Sequence, residues 1–470
     1  MSQRASRLAS ICFALDVFSV LALLLGLTVF FTGGFREWLP WGRISLTSWE
    51  RPVVAAILAL GARHLLQPRP TIAGRLAGWG RTVAAAPGVA TALPIVLSTR
   101  AGVLLVGFLA VTLFGYRADV PVPWRVYENE FLNLPARWDT GWYMDVASSG
   151  YRWAPSLVTQ QQNIAFFPAY PMLMRYGSLF FARNLMWTGV LISWVSFFAA
   201  MVYLYRFTRD RFGDDVGSVS LALLASYPFA VYFSTAYTES LFLLTVVGAC
   251  YHFERNELWR AAAWGMLAGL SRPNGCLLSV VLALIAVRPL WPFRFGGMRI
   301  ADWVGIADRI AVAALPGIGM LFYSTYIFFL TGHPLQWAMQ NAAWGRVYGG
   351  VDALVAERAA VIAGEGLYAY AATHTVDAFY VAAVLFVLAT VWPVFRRIGF
   401  PYAVLIVINV FPPLMMGGLL SMGRVTSVLF PVFVWLAATI PGPHRAAWVV
   451  GFAMLQAIVA AAFFTWRPLY

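Results

Sequence analysis

The chain has 470 residues, of which 61% are hydrophobic and 11% charged, whereas soluble domains carry about 25% charged residues. This composition excludes a soluble globular protein and predicts an all-α polytopic membrane protein, because lipid requires every backbone polar group to be paired within the chain. The net charge is +13, and all 33 basic residues are arginine. Their position between apolar runs indicates topology and contact with lipid headgroups, and argues against nucleic-acid binding.

Apolar runs recur along the whole chain and predict about 11 to 13 membrane helices, some of them too short to cross squarely. The first run is long enough to be a true span and lacks a signal-peptide cleavage pattern. We place residues 1–470 in one domain, and the sequence does not predict the fold of residues 35–90. The runs lie near residues 11–34, 52–66, 95–116, 185–206, 217–234, 240–253, 261–270, 275–287, 310–330, 376–395, 400–420, 425–440 and 446–464.

Arginine clusters orient these runs. The positive-inside rule assigns the arginine-rich loops to the cytoplasm; they contain Arg4 and Arg7, Arg63 to Arg81, Arg206 to Arg211, Arg255 and Arg260, Arg288 to Arg309, Arg396 and Arg397, and Arg445. The remaining loops share the other face. These are two long loops, 117–184 and 331–375, and three short ones at 237–239, 271–275 and 421–424.

Two details refine this topology. Pro168, Pro171 and Arg175 make residues 166–182 an interfacial piece that does not cross the membrane. The short runs 261–270 and 275–287 are interpreted as half-helices, whose junction faces the same side as the long loops. Interrupted helices are tolerated at membrane depth where they line a cavity.

Asp139 is the leading candidate for chemistry, in a stretch that runs from Arg137 through three aromatic residues to Tyr151. It could act as a general base on an acceptor hydroxyl. It could also be an ordinary helix N-cap, which spacing alone favours, and the two roles can coexist. Asp145 follows six residues later and would point elsewhere on a helix, so the spacing does not indicate a paired-carboxylate hydrolase.

Other polar and aromatic residues of the same loops also have two readings. Trp138 and Tyr143 could form a platform for a sugar, or belong to an interfacial aromatic belt. Glu239, in the sequence YTESLF, is either a functional acid at membrane depth or a helix cap. Arg272 and Asn274, in SRPNG, and Arg424, in SMGR, fit phosphate recognition or headgroup anchoring.

Metal and nucleotide signatures are missing from the sequence. The three cysteines, at positions 12, 250 and 276, have no spacing typical of zinc sites or disulfide frameworks. His333 and His374 stand alone, without metal-ligand company. There is no glycine-rich phosphate loop and no acidic pair of the kind that binds a nucleotide sugar. We therefore expect no cofactor, no obligatory metal and no nucleotide donor.

The motifs together resemble a known family. The run RWDTGWYMDVASSGY followed by AFFPAYP resembles the signature of the PIG-V mannosyltransferases, which include GPI mannosyltransferase 2 and bacterial relatives. YTESLF, SRPNG, the GHPLQW to WGR region and MGR to FPVF are similar to family segments in the same order. The resemblance extends from about Arg137 to Phe433. Two positions depart from it: Trp142 replaces a frequent histidine, and Val425 replaces a frequent tyrosine.

The resemblance implies a GT-C-like glycosyltransferase fold with the catalytic acid in the first long outer loop. Asp139 matches that acid, and Arg137 and Trp138 match its neighbours. The implied reaction is inverting transfer of a hexose, mannose by the family, from a polyprenyl-phosphate donor to a lipid or glycan acceptor. We expect Arg137, Arg272 and Arg424 to bind the donor phosphate, in a bacterial cytoplasmic membrane with the site facing outward and membrane lipids around it. The rival predictions are a lipid or glycolipid transporter without transferase chemistry, and a non-catalytic scaffold.

Overall fold

The computed structural model describes residues 3–39, 42–69, 71–116, 124–290 and 300–467. Within these ranges the chain is helical apart from one antiparallel hairpin, which pairs β1 (Phe35–Leu39) with β2 (Gly42–Leu46). The helices before the first long loop are α1 (Gln3–Thr32), α2 (Glu50–Leu66), α3 (Ile72–Ala84) and α4 (Val89–Phe114). The hairpin and α3 occupy the part of the chain whose fold the sequence does not predict.

The middle of the chain contains the first loop helices and the buried bundle. These elements are α5 (Thr140–Ser149), α6 (Ala169–Gly177), α7 (Leu185–Phe212), α8 (Asp214–Ser226), α9 (Glu239–Glu254), α10 (Leu258–Ser271) and α11 (Leu278–Val287). Helix α6 has only nine residues, too few to cross a bilayer. The prediction that residues 166–182 do not span is thereby confirmed.

The last third repeats this arrangement of long helices separated by a folded loop. Its helices are α12 (Ile300–Ala313), α13 (Leu315–Thr331), α14 (Gln336–Met339), α15 (Val351–Glu365), α16 (Leu367–Thr373), α17 (Thr375–Ala389), α18 (Val391–Arg397), α19 (Phe400–Gly417), α20 (Met422–Ser427), α21 (Phe430–Thr439) and α22 (Arg445–Phe464). Helices α14 to α16 belong to the predicted second long loop.

The protein is an integral, multi-pass membrane protein. Within the described ranges, seven helical segments are long and apolar enough to cross a bilayer, and two shorter apolar helices, Pro273–Val287 and Phe430–Thr439, accompany them. Large apolar side chains such as Leu27, Leu105 and Phe322 are exposed on the outside of these helices, as expected for surfaces that face lipid. The total of 11 to 13 membrane helices stays a prediction.

The predicted break between residues 261–270 and 275–287 is confirmed. Helix α10 ends at Ser271, Arg272 is extended, and a 3-10 turn over Pro273–Leu277 leads into α11. Proline cannot continue the helix at this point because it lacks the N–H donor. The break places Arg272 and Asn274 beside the buried bundle, and the side chains of both residues are partly exposed.

Arginines at the other end of the bundle pair with acids. Arg255 lies 3.2 Å from Asp210, and Arg211 pairs with Glu254, the last residue of α9. Arg445 pairs with Asp215 at the start of α8. These contacts bring together three of the arginine-rich segments, those that contain Arg211, Arg255 and Arg445.

The position of Arg63 differs from the loop position that the sequence predicts. The sequence assigns it to an arginine-rich cytoplasmic loop, but it lies inside α2, is buried, and its Nε is 2.9 Å from a carboxylate oxygen of Asp16. Arg75 reaches the same carboxylate at 3.5 Å. A charged group in an apolar helix needs a counter-ion, and Asp16 of α1 is the counter-ion of both arginines.

A glycine contact sets the distance between α10 and α13. A Cβ atom at Gly269 would lie 1.9 Å from the backbone oxygen of Pro316, and a Cβ atom at Gly319 would lie 2.4 Å from the backbone oxygen of Met266. Small residues allow membrane helices to approach closely. This close approach fixes α10, and with it the position of the break at Arg272.

We expect Gly269→Ala to destabilise the protein, because the opposing atom is backbone and cannot rotate away. Overpacking of this kind costs about 1–3 kcal/mol. The measurement is thermal unfolding of the purified protein in detergent. Gly102→Ala is the matched control, since a Cβ atom there meets nothing within 4 Å. Equal unfolding temperatures for the two variants would contradict the proposed contact.

Candidate active site

Arg424 joins two carboxylates that are far apart in the chain. Its Nε donates to Oε1 of Glu239 at 2.5 Å, and its Nη1 donates to Oδ2 of Asp139. The residue lies in α20, a helix that begins directly after Ser421, and Ser421 has a left-handed backbone with φ of 62°. The guanidinium also sits over the ring of Tyr237, 4.8 Å from its centroid. Three predicted loops of one face therefore meet at a single side chain.

Asp139 precedes α5 and occupies its N-cap position, but its side chain caps nothing. The interpretation as an ordinary N-cap is therefore wrong: the carboxylate turns toward Arg424 instead. Its backbone N–H donates to the hydroxyl of Tyr237 at 3.0 Å, which fixes the turn. In the described chain Oδ1 has no hydrogen-bond partner, and the side chain keeps 19% of its exposure. One carboxylate oxygen is thus held while the other stays open to a substrate.

Glu239 is the first residue of α9 and is completely buried, with 0% exposure. Its Oε1 accepts from Arg272 at 2.9 Å and from Arg424, whereas its Oε2 has no partner among the described residues. Helix α9 shows no side-chain cap hydrogen bond. Glu239 therefore serves as the buried counter-ion of two arginines, which would otherwise repel each other.

Arg346 is a site residue to which sequence reasoning assigns no role. It follows the short helical turn that ends the first part of the second long loop, and its side chain faces Gly417, where a Cβ atom would lie 3.2 Å from its Cγ. No acid or carbonyl in the described chain forms a hydrogen bond or ion pair with its guanidinium. Its only sequence signal is the WGR segment, an arginine among aromatic residues.

The pKa of Arg346 indicates how close it is to the other charges. Burial and the positive charge of Arg424 lower this pKa, Asp139 opposes them, and the result is a pKa of about 10. The group is still protonated at neutral pH. Arg272, Arg346 and Arg424 face two carboxylates, so the cluster carries one positive charge in excess when both acids are ionised.

Arg137 is not available for the phosphate role predicted from its position. It is fully buried, and its guanidinium donates to the backbone oxygens of Phe464, Asn133 and Ala136 at 2.7 to 2.9 Å. Burial lowers its pKa. These contacts attach the start of the first long loop to the end of α22, so Arg137 is a structural residue that places Asp139.

Trp138 and Tyr143 also pack into the protein instead of forming an open platform. Trp138 has a left-handed backbone, with φ of 46°, and its ring lies 4.9 Å from that of Trp466. Tyr143 is buried among other rings, hydrogen-bonds to Thr238 at 3.3 Å, and has its pKa raised to about 12 by burial. Burial therefore removes Tyr143 from an open platform, and Trp138 packs its ring on Trp466.

Asn274 fixes the helix break. Its amide nitrogen donates to Oδ1 of Asn409 in α19 at 2.7 Å, and Asn409 in turn donates to the backbone oxygen of Leu405. This buried amide pair joins the break to the C-terminal helices. Sequence reasoning selects Asn274 but misses Asn409, because a single asparagine within an apolar run gives no signal of its partner.

Aromatic residues connect the two long loops beside Asp139. The ring of Trp142 lies 5.8 Å from that of Phe166 and 5.7 Å from that of Trp344. The amide nitrogen of Gln340 donates to the backbone oxygen of Gln160 at 2.5 Å. The second loop is thereby docked on the first, which brings Arg346 within reach of the acid.

Asp145 holds the first loop together. Its carboxylate oxygens accept from Arg152 at 2.5 Å and from the amide of Asn163 at 2.7 Å. This agrees with the helical spacing, which aligns Asp145 with Arg152 and separates it from Asp139. In the described chain no group of three histidine, cysteine or acidic residues is arranged to hold a metal ion, and metal independence stays a prediction.

Comparisons with known proteins agree with the motifs. Residues 120–288 match the family model described as mannosyltransferase (PIG-V). The resemblance to the PIG-V family is confirmed. GPI mannosyltransferase 2 of Schizosaccharomyces pombe (strain 972 / ATCC 24843) is 24% identical over 201 residues, which are 41% of this chain and 41% of that protein. The match to this curated relative therefore covers less than half of the relative's length.

Two solved structures align with most of the chain at low similarity. The ArnT structure from Cupriavidus metallidurans, bound to undecaprenyl phosphate, aligns with a TM-score of 0.42 at 12% identity and covers 80% of this chain and 76% of ArnT. The Archaeoglobus fulgidus oligosaccharyltransferase, in complex with Zn and sulfate, aligns with a TM-score of 0.39 at 16% identity, covering 77% of this chain and 53% of that one.

We expect Glu239→Gln to lower the stability of the protein strongly, because it leaves two buried arginines without their shared acid. Removing one partner of a buried ion pair costs about 3–5 kcal/mol. The control is Asp215→Asn at the start of α8, where the exposed acid pairs at the surface with Arg445 and such pairs contribute about 0–1 kcal/mol. Thermal unfolding in detergent measures both, and a control as unstable as Glu239→Gln would argue against the burial effect.

Proposed function

We propose that the protein is an inverting glycosyltransferase that moves a hexose, mannose by its family, from a polyprenyl-phosphate carrier to a lipid or glycan acceptor. The observation that carries this proposal is the open oxygen of Asp139 beside a buried cluster with one excess positive charge. A base and an anion-binding group side by side are what transfer from a lipid phosphate requires.

In this proposal Oδ1 of Asp139 takes the proton of the acceptor hydroxyl. The acceptor oxygen forms a bond to the anomeric carbon while the bond from that carbon to the phosphate oxygen breaks. A single displacement inverts the anomeric centre. The products are the glycosylated acceptor, the polyprenyl phosphate and a proton on Asp139, so that atoms and charges balance.

The arginines that we assign to the donor phosphate differ from those expected on sequence alone. Arg424 has two of its nitrogens engaged by carboxylates, so it orients the base of the proposal instead of receiving the donor. Arg346 has a guanidinium without an anionic partner in the described chain, and Arg272 is engaged at Nη1 only. We assign the donor phosphate to Arg346 and Arg272, since arginine binds phosphate through paired hydrogen bonds.

The location of the site supports an outward-facing enzyme. The acids and arginines of the cluster all lie in loops opposite the arginine-rich end of α9, which is 16 residues away, or about 24 Å at 1.5 Å per residue. By the positive-inside rule the arginine-rich end is cytoplasmic. We therefore place the reaction at the extracytoplasmic surface of a bacterial cytoplasmic membrane, where a lipid-linked donor replaces a nucleotide sugar.

The direct test incubates the purified protein with radiolabelled polyprenyl-phosphate mannose and a membrane lipid extract. We expect a new labelled product and free polyprenyl phosphate. Asp139→Asn is expected to slow transfer by about 10²–10⁴-fold, the usual contribution of a general base. The control is Asp308→Asn, an exposed acid in α12. Full transfer by Asp139→Asn would refute the base, and movement of intact lipid without any product would favour the transporter.

Arg346→Ala is expected to weaken donor use in the same assay. A hydrogen bond to a charged group contributes about 1.5–3 kcal/mol, so the KM for the donor should rise by roughly 10–100-fold. Arg346→Lys should recover part of the loss, because it keeps the charge but not the planar fork. The control is Arg51→Ala, an exposed arginine near the start of α2, away from both long loops. An unchanged donor KM would remove Arg346 from the phosphate site.

A further inference from the structure

A chamber of about 540 Å³ lies next to Arg346, between α15 and the end of α19. Its volume is within the usual range of small-molecule sites, about 300–1,000 Å³. Gly417 lines the chamber and also packs against the side chain of Arg346. The chamber is therefore the space on the far side of Arg346, and the proposed reaction leaves it without an occupant.

Four of the positions that line the chamber are glycine, namely Gly349, Gly350, Gly417 and Gly418. Gly350 and Gly418 have φ angles of 76° and 57°, a backbone conformation that side chains disfavour. The backbone N–H of Gly349 donates to the backbone oxygen of Met415 at 2.9 Å, so the glycines lie where the second long loop meets the end of α19.

The chamber differs from the Asp139 site in the sign of its charge. It is lined by Glu357, Asp377 and Arg358, so two acids stand against one base. Arg358 pairs with Asp377 at 2.5 Å and with Glu357 at 2.7 Å, and the hydroxyl of Tyr370 donates to Asp377. One negative charge in excess disfavours a phosphate. Carboxylates that accept and a guanidinium that donates suit hydroxyl groups.

Tyr380 links the chamber to the acid. It lines the chamber, and its ring lies 5.4 Å from that of Phe229. Phe229 packs against Gly423, where a Cβ atom would lie 2.2 Å from the ring, and Gly423 precedes Arg424. Tyr380, Phe229 and Gly423 thus form a packed connection from the chamber to Arg424, which pairs with Asp139.

We propose that the chamber binds the hydroxyl-rich, uncharged head of the acceptor, while Arg346 separates it from the phosphate of the donor. The assignment rests on the proposed transferase reaction, in which the acceptor must approach Asp139 from a side that the donor does not occupy. The positive side of Arg346 then receives the anionic substrate, and the negative chamber receives the neutral one. Ala353, on α15, limits the size of the acceptor that fits.

Filling the chamber from α15 tests this proposal. Ala353 lines the chamber, whereas Ala356 is exposed on the same helix and does not. We expect Ala353→Phe to raise the KM for the acceptor at least tenfold and to leave the KM for the donor unchanged. Ala356→Phe is the matched control. The probes are radiolabelled polyprenyl-phosphate mannose and a titrated lipid extract from the membranes that contain the protein.

Glu357→Gln provides a second measurement on a side chain that is exposed enough to change without unfolding. If the chamber receives acceptor hydroxyls, this variant raises the acceptor KM and leaves the donor KM alone. If the chamber takes the phosphate instead, loss of the negative charge lowers the donor KM, and that result overturns the proposal.

The outcomes distinguish a failure of the proposed function from a failure of the acceptor chamber. A wild-type protein that produces no transfer with these probes overturns the proposed function and the acceptor chamber with it. A wild-type protein that transfers, together with an Ala353→Phe variant whose acceptor KM is normal, overturns the chamber and leaves the proposed function standing. An Ala353→Phe variant with a raised donor KM alone has the same effect.

Discussion

The bridge from Arg424 to Asp139 and Glu239 is the interaction on which the site depends. Taking three charges away from water is unfavourable unless each finds an opposite charge at close range. Arg424 satisfies both acids at once, and Arg272 adds a second positive charge to Glu239. These ion pairs hold the first long loop, the start of α9, the broken helix and the C-terminal turn together.

The same bridge explains why Asp139 can be both fixed and reactive. One oxygen is held by Arg424 and the backbone N–H is held by Tyr237, so the direction of the carboxylate is set before any substrate arrives. The other oxygen is open. A group whose position is fixed by its neighbours loses little freedom on reaction, which is the advantage of preorganisation.

Arg346 divides the space around this bridge by charge. Toward Asp139 the arginines outnumber the acids, and in the chamber beyond Gly417 the acids outnumber the arginine. Such a division lets an anionic lipid phosphate and a neutral acceptor approach from different sides, and it disfavours either one in the place of the other. The aromatic contacts of Trp142 and Trp344 hold the two loops so that this division persists.

The amino-acid sequence alone is enough to predict the helical, membrane-spanning class, the broken helix at Arg272, and the loops that come together at the site. Apolar run length, proline and the placement of arginines act locally, so they can be read without knowing which segments touch. It also selected Asp139, Glu239, Arg272 and Arg424, because acids and arginines are rare in such a composition.

The contacts that each of those side chains makes are known only from the three-dimensional structure. Arg137 was expected at the phosphate and instead donates to backbone oxygens of Asn133, Ala136 and Phe464. No sequence pattern distinguishes Arg346 from the other arginines, yet its guanidinium has no anionic partner in the described chain. The role of a buried charge depends on its counter-ions, and these come from segments hundreds of residues apart, whose meeting no local pattern records.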